Sequence, residues 1–344
     1  MTPIPLTDDQ AKQVIDAEQT YQAWWEAWRS SRDYVGGMHW KAVAGKEYLY
    51  KTHDRKGNAK SLGPRSEATE AIAREFHGRK QEAQSRLKTL GERLRTQERV
   101  NAALRLGSAP NIVAQLCQRL AQTGLMGKSL MVIGTNSLYA YEAMAGVRFA
   151  REVMATTDID LLWSHKAKLS LTALDEMMDG DEGASGDGLM GILQKVDKSF
   201  KRLDLQHFRA ANDQGYLVDL IRQMPAPPWK DEPERIGNER DLVATDIWNM
   251  NWLLNAPRVE ALAIAVNGSV FPITAPDPRA YCAFKYWLSQ SDERDPRKKS
   301  RDLAQAKAVY AVIQDRLPHL GRDWFALKSI PQEVLIPIEA GVLR

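Results

Sequence analysis

With 344 residues, 44% of them apolar, the chain is long enough for two or three domains with real cores. Two distant cysteines (Cys117 and Cys282) exclude a disulfide framework, six histidines with no pair at ligand spacing give no sign of a structural zinc site, and no apolar run approaches the ~18 residues of a membrane span. The net charge is only +3, yet residues 41–105 hold 16 Lys/Arg against 8 Asp/Glu, a surplus of eight that leaves the remainder net acidic.

In chain order, residues 1–9 are polar and carry no secretory pattern, so a cytoplasmic protein is expected. A helix is expected over residues 7–33, capped near Thr7, with Asp8 and Asp9 in the positive field of its first turn. Tyr21, Trp24, Trp25 and Trp28 recur at i, i+3, i+4 and i+7, a spacing that reads as packing. Three short strands follow, near residues 38–43, 47–51 and 58–62, with turns at Gly45 and Gly57-Asn58. They interleave aromatic and basic residues: Trp40, Lys41, Tyr48, Tyr50, Lys51 and Lys60. Such a surface suits stacked bases or phosphates, and equally a hairpin packed on the next helix. Residues 66–104 read as one long helix, a projecting arm or half of a helical pair, with Ile72, Phe76, Leu87, Leu90 and Leu94 as its apolar stripe. The local positive charge points to a phosphate-rich partner, most simply a nucleic acid engaged through residues 35–105, although a solvated helix face has the same composition.

Residues 107–110 (Gly-Ser-Ala-Pro) mark a boundary, and a helix over 111–123 leads into the most informative stretch. There Met-Val-Ile-Gly-Thr-Asn-Ser (131–137) ends an apolar strand in Gly134-Thr135, with Asn136 and Ser137 placed to cap a helix running to Ala145. Some twenty residues on, Thr-Asp-Ile-Asp-Leu-Leu-Trp (157–163) carries Asp158 and Asp160 one residue apart. Alternate residues of a strand share a face, so two carboxylates project side by side from an apolar strand. Adjacent carboxylates repel unless a cation lies between them, and Mg²⁺ takes oxygen ligands of this kind together with substrate phosphates. A glycine before a helix lets backbone N–H groups approach phosphates. The bland alternative is a strand that ends in two solvated aspartates.

These motifs, with Gly-Tyr-Leu-Val-Asp-Leu-Ile-Arg (215–222) downstream, resemble the nucleotidyltransferase superfamily, the polymerase-β-like fold, over roughly residues 110–310. The resemblance implies an α+β chain: a mixed-sheet core with helices, an N-terminal small sheet and long helix, and a mainly helical C-terminal region. It implies that Asp158 and Asp160 bind the metals (Mg²⁺ or Mn²⁺), that Asp219 is the third carboxylate, and that Gly134, Thr135 and Asn136 hold a nucleoside triphosphate. Thr135 stands where the family has serine but keeps the hydroxyl. A lysine from a later helix often reaches the triphosphate in this family, and Lys285 or Lys299 fills that place. The implied activity moves a nucleoside monophosphate to a hydroxyl acceptor, RNA or protein among them, with release of pyrophosphate. A nucleic-acid-binding regulator of toxin–antitoxin type that keeps the fold is the alternative, and a metal-dependent nuclease would leave Gly134-Thr135 without a role.

The expected organisation is residues 1–107 as an accessory, acceptor-binding arm, 108–240 as the catalytic core and 241–344 as the region completing the nucleotide site. The acidic stretch 179–188 reads as a surface loop near the site. Strands are expected at 203–209 and 215–222, joined through Asn212-Asp213-Gln214, giving about five in the core. A Trp-rich core segment is expected at 245–255 and a hairpin about Asn267-Gly268. Helices then run through 281–287 and from Pro296, the latter opening on the basic cluster at 297–301.

Overall fold

The computed structural model describes residues 3–52, 58–164, 188–227, 235–321 and 323–344; the acidic stretch at 179–188 lies almost wholly outside them. Its centre is a six-stranded mixed sheet. Leu130–Ile133 pairs antiparallel with Asp158–Trp163, which runs parallel to Leu217–Gln223. Leu217–Gln223 continues antiparallel to Arg209–Ala211, then Lys201–Arg202, while Thr245–Ile247 pairs parallel with its far half. The middle strands read as apolar runs because both faces are covered, and Ile159, Leu161, Val218 and Leu220 are fully buried. Helix Asn111–Gln122 lays Val113, Leu116, Cys117 and Leu120 into the same core, an i, i+3, i+4, i+7 stripe.

The expected α+β arrangement holds, with local corrections. The strand placed at 203–209 is instead two short ones, Lys201–Arg202 and Arg209–Ala211. The turn lies where expected: the Asn212 side-chain oxygen accepts from the N–H groups of Gln214 and Tyr216, at 3.1 and 2.8 Å. Residues 245–255 contribute a sheet strand, Thr245–Ile247, before a single turn of helix at Asn251–Leu254. Asp246 is drawn to the sheet by Arg222, 2.5 Å away on the neighbouring strand.

The N-terminal elements form as expected. Helix Asp8–Arg32 begins with a reciprocal capping box between Thr7 and Gln10, and helix Glu67–Ala103 with one between Ser66 and Thr69. The two helices pack side by side. Phe76 and Leu94 are buried in the long one, while Ile72 faces solvent. Between them in sequence lies the three-stranded antiparallel sheet Gly37–Val43, Lys46–Thr52 and Ala59–Pro64.

The hairpin Arg258–Ile264/Val270–Pro276 joins this arm to the core. Ala17, Tyr21, Leu94 and Leu106 share a small apolar cluster with its Ile264 and Val270. Residues 107–110 lie against the same hairpin. Ser108 donates to Ile264 O, Val266 donates to Ala109 O, and a side chain at Gly107 would overlap the Ala265 backbone. The glycine at this boundary therefore serves close packing of the two backbones.

Candidate active site

Strand register assembles the carboxylates. Asp160 lies opposite Asp219 on the adjacent parallel strand, and Asp158 precedes it on the same face. On its other side Asp160 lies opposite Ile133, the last residue before Gly134. Gly134 has φ +66°, and a β-carbon there would run into the Asp160 carboxylate. Glycine is thus required twice over: by the left-handed backbone and by the carboxylate lying against it.

Asp160 is the most perturbed acid of the group. Burial pushes its pKa up to about 7, and the negative charges of Asp158 and Asp219 add to the rise, against the opposing pull of Lys285 and Arg209. The Thr156 hydroxyl donates to Asp158. Asp219 is held by a two-pronged ion pair, in which Arg209 Nε and Nη2 each donate to one of its oxygens at 2.6 Å. Among the described residues, no three or more His, Cys, Asp or Glu side chains are gathered closely enough to hold a metal as they stand.

The turn after Gly134 is built differently from the expectation. Gly134–Ser137 is a 3₁₀ turn running into helix Leu138–Ala145, and neither Asn136 nor Ser137 caps it. Both side chains reach back to the sheet instead: Ser137 donates to Val132 O at 3.0 Å and Asn136 Nδ2 to the Asp158 carbonyl at 2.6 Å. The remaining amide oxygen of Asn136 is buried without a partner. Thr135 is buried, and its hydroxyl accepts from Gln305 Nε2 at 3.1 Å; the same amide also donates to Val153 O at 2.9 Å. Gln305 thereby ties the C-terminal helix Pro296–Arg316 to the turn.

Lys285, on helix Pro278–Gln290, is 5% exposed, and its Nζ lies 2.6 Å from the fully buried Asp302. Burial lowers its pKa while the Asp302 charge resists the change. Burial alone would raise Asp302, but Lys285 and Arg294, whose Nε is 2.8 Å away, hold its pKa below the usual carboxylate value. Lys285 therefore borders Asp160 as part of a buried network. Lys299 instead lies on the surface, 3.8 Å from the exposed Asp292. Of the basic cluster at 297–301, Arg301 turns toward the loop leading into Asp158: its Nη1 is 3.5 Å from Ala155 O, and its Nε is buried without a partner.

Sequence reasoning did not find Arg209, Thr156, Gln305 or Asp302. Arg209 had a detectable signal, since a hairpin centred on residue 214 pairs positions 209 and 219; the strand expected at 203–209 obscured it. Gln305 and Asp302 come from a helix more than a hundred residues after the turn, and nothing local marks them.

Strand register thus brings the glycine turn and the three aligned carboxylates together at one end of the central sheet. A family model described as "Nucleotidyltransferase" matches residues 111–326, well over half of the chain. The chain belongs to that nucleotidyltransferase family and is a transferase by membership. No match was found among curated proteins or among solved structures.

Proposed function

We propose that the protein transfers a nucleoside monophosphate from a nucleoside triphosphate to a hydroxyl acceptor, releasing pyrophosphate, at a centre formed by Asp158, Asp160 and Asp219. The alignment of these three carboxylates beside Gly134, in a chain of this family, carries the reading. The donor chemistry fits Mg²⁺ or Mn²⁺: hard carboxylate oxygens on one face, one of them with its pKa pushed up to about 7 by burial and by the charges of the other two, and an orphaned amide oxygen on Asn136 close by. When bound, a divalent ion supplies charge neutralisation for the phosphates and for the attacking and leaving oxygens. Asp158 and Asp160 would hold it, and Asp219 would join them once Arg209 gives up its bidentate grip.

The rest of the work is positioning. Gly134 keeps the turn close to the carboxylates, and Asn136 fixes that turn to the start of the Asp158 strand. Gln305, through Thr135, fixes the C-terminal helix to the same turn. Lys285 and Arg301 bring positive charge beside the carboxylates and the loop leading into them, favouring a polyphosphate over a neutral ligand. Asp219, freed from Arg209, is placed to take the proton of an acceptor hydroxyl at a carboxylate oxygen.

An acceptor rich in phosphate would meet the three-stranded sheet at residues 37–64. His39 pairs with Tyr50 and Lys41 with Tyr48 on one face, while Trp40, Leu49 and Lys51 belong to the other. Leu49 is buried and Lys51 lies 5.6 Å over the Phe76 ring, so this second face is turned toward the long helix. Lys60, opposite Lys51, belongs with it. The open face is therefore His39, Lys41, Tyr48 and Tyr50, with the His39 and Tyr50 rings stacked at 6.3 Å.

The test incubates the protein with labelled nucleoside triphosphates, Mg²⁺ or Mn²⁺, and total RNA, beside the Asp160→Asn variant. Label transferred by the wild type and lost in the variant supports the reading. Shortened RNA would indicate a nuclease, and binding without transfer a regulator that keeps the fold; either outcome sinks the proposal.

A further inference from the structure

Across the central sheet, one row of opposed residues runs Ile133, Asp160, Asp219, Arg209. The neighbouring row runs Asp158, Leu217, Ala211, Lys201. Residues opposed across strands share a face, so Arg209 and Lys201 project from the same face as the three aspartates. Three strand spacings, about 14 Å, separate the strand of Arg209 from the one that leads into Gly134. The glycine turn and Arg209 thus lie on opposite sides of Asp160 and Asp219. A group that approaches Asp219 from the Lys201–Arg202 edge of the sheet meets Arg209 first.

The hold of Arg209 on Asp219 uses both carboxylate oxygens, through Nε and Nη2 at 2.6 Å each. The third nitrogen, Nη1, donates to Gln206 Oε1 at 3.0 Å, and the guanidinium lies 5.4 Å from the Phe208 ring. Gln206 and Phe208 carry no charge. Hydrogen bonding to Asp219 raises the Arg209 pKa against partial burial, and the charges of Asp219, Asp158 and Asp160 add to the rise. A divalent cation on those aspartates would remove this counter-charge and repel the guanidinium. With Asp219 turned to the metal, a partly buried cation would be left without an anion, which is strongly unfavourable.

Resting on the transfer reading above, we propose that Arg209 is a latch opened by the acceptor: a phosphate group next to the attacking hydroxyl draws Arg209 off Asp219 and is held by Arg209 and Lys201. The donor fork that grips a carboxylate fits two phosphate oxygens equally well. Lys201, exposed on the same face, adds a second cation that favours a phosphate over a singly charged carboxylate. A neutral acceptor would leave the latch closed. The contact that seats the acceptor is therefore also the one that frees the carboxylate beside its hydroxyl.

The phosphate could belong to a free nucleotide or to the end of a strand, and the probes separate these sources. Mn²⁺ binding to the full chain is followed by electron paramagnetic resonance with no nucleotide present, Asp160→Asn setting the background. Arg209→Gln should bind Mn²⁺ about 5–150-fold more tightly than wild type, the usual range of coupling between linked sites. A purely structural clasp would instead lose affinity together with stability. Separately, with chelator present, retention of the four nucleosides, the four nucleoside 5′-monophosphates and a mixed trinucleotide pool is measured. Wild type should retain a monophosphate or the trinucleotides but no nucleoside, and Arg209→Gln should retain none of them. Monophosphate retention assigns a free acceptor, and trinucleotide retention alone a strand end. Arg209→Lys, which keeps the charge without the fork, should fall between the two in both assays. Arg209→Gln combined with Asp219→Asn removes both charges, so it should fold and still fail to retain phosphate. These binding results without label transfer by wild type would sink the transfer reading and leave Arg209 as a phosphate-operated latch. Mn²⁺ affinity that does not rise in Arg209→Gln or Arg209→Lys, or phosphate retention indifferent to Arg209, overturns the proposal whether or not transfer is seen.

Discussion

The molecule displays polar residues from two β-surfaces, and they behave differently. In the central sheet, Asp158, Asp160 and Asp219 project from strands whose other residues are buried, and every neighbouring charge is felt. In the N-terminal sheet, Lys41 and His39 stand in solvent, and Lys41 lies 5.9 Å over the Tyr50 ring. Burial turns a charge into a specific demand for a partner, since the low local dielectric penalises whatever is left unpaired. Exposure leaves it as part of a long-range, salt-screened field. The first surface suits chemistry; the second suits recruitment.

The sharpest way to break this comparison is Asp160→Asn. Transfer should fall by at least about 10²–10³-fold, the scale of losing a charge-stabilising group from a preorganised site. The same change should make the metal-free protein more stable near pH 8. Folded Asp160 keeps its proton up to about pH 7, whereas an unfolded aspartate releases it near 3.9. As pH rises between those values the unfolded state has lost a proton that the folded state still holds. Stability therefore declines across that window and levels off above it. Thermal melts of wild type against pH should show this decline, and the variant should flatten it. Because metal competes with the proton, Mg²⁺ affinity should climb until about pH 7.

Next in size is the buried pair beside the site. Lys285→Met leaves Asp302 without one of its two cations. The expected cost is about 3–5 kcal/mol, toward the lower end because Arg294 remains, read by urea unfolding. A cost near zero would mean that the pair is solvated and that the contrast between the two surfaces is overstated.

A smaller effect is expected at Gly134→Ala. The positive φ costs about 1–2 kcal/mol for any side-chain-bearing residue, and the methyl group must also displace the Asp160 carboxylate. Metal titration should weaken along with stability. If stability falls while metal affinity stays unchanged, the turn is a scaffold with no part in the site.

The mildest prediction concerns the exposed face. Lys41→Glu should reduce the log–log salt slope of RNA binding by about 0.7–0.9 for each phosphate that is no longer neutralised, with no change in melting temperature. Lys51→Glu is the reverse control. Its ammonium packs over Phe76, so it should perturb stability more than the salt slope. Equal salt effects from both would erase the distinction between the faces.

Much of the candidate site was legible in the chain. Alternation along a strand placed Asp158 beside Asp160, and an apolar run ending in glycine marked the turn. The helix caps at Thr7 and Ser66 and the turn at Asn212 are short-range devices, set by residues three or four apart. What failed was register and span. A strand expected at 203–209 starts and ends too early, which hid Arg209 opposite Asp219. Asn136 and Ser137 have the composition of helix caps, yet their side chains bond back to the sheet because the Gly134 turn folds onto it. The aromatic-basic interleaving at 40–60 was visible, but which residues face outward depends on the helix the sheet packs against.

The sequence by itself determined most of the local elements and the shared face of Asp158 and Asp160, because these follow from backbone geometry over a few residues. Tertiary structure alone decided that Lys285 is committed to Asp302, that Gln305 reaches Thr135, and that the tryptophans of the first helix line a cleft. Gln305 and Thr135 are 170 residues apart in the chain, and Lys285 and Asp302 sit on separate helices that must pack before they meet. Such contacts exist because burying apolar faces together brings unlike charges and rings within reach, and no local pattern records that outcome.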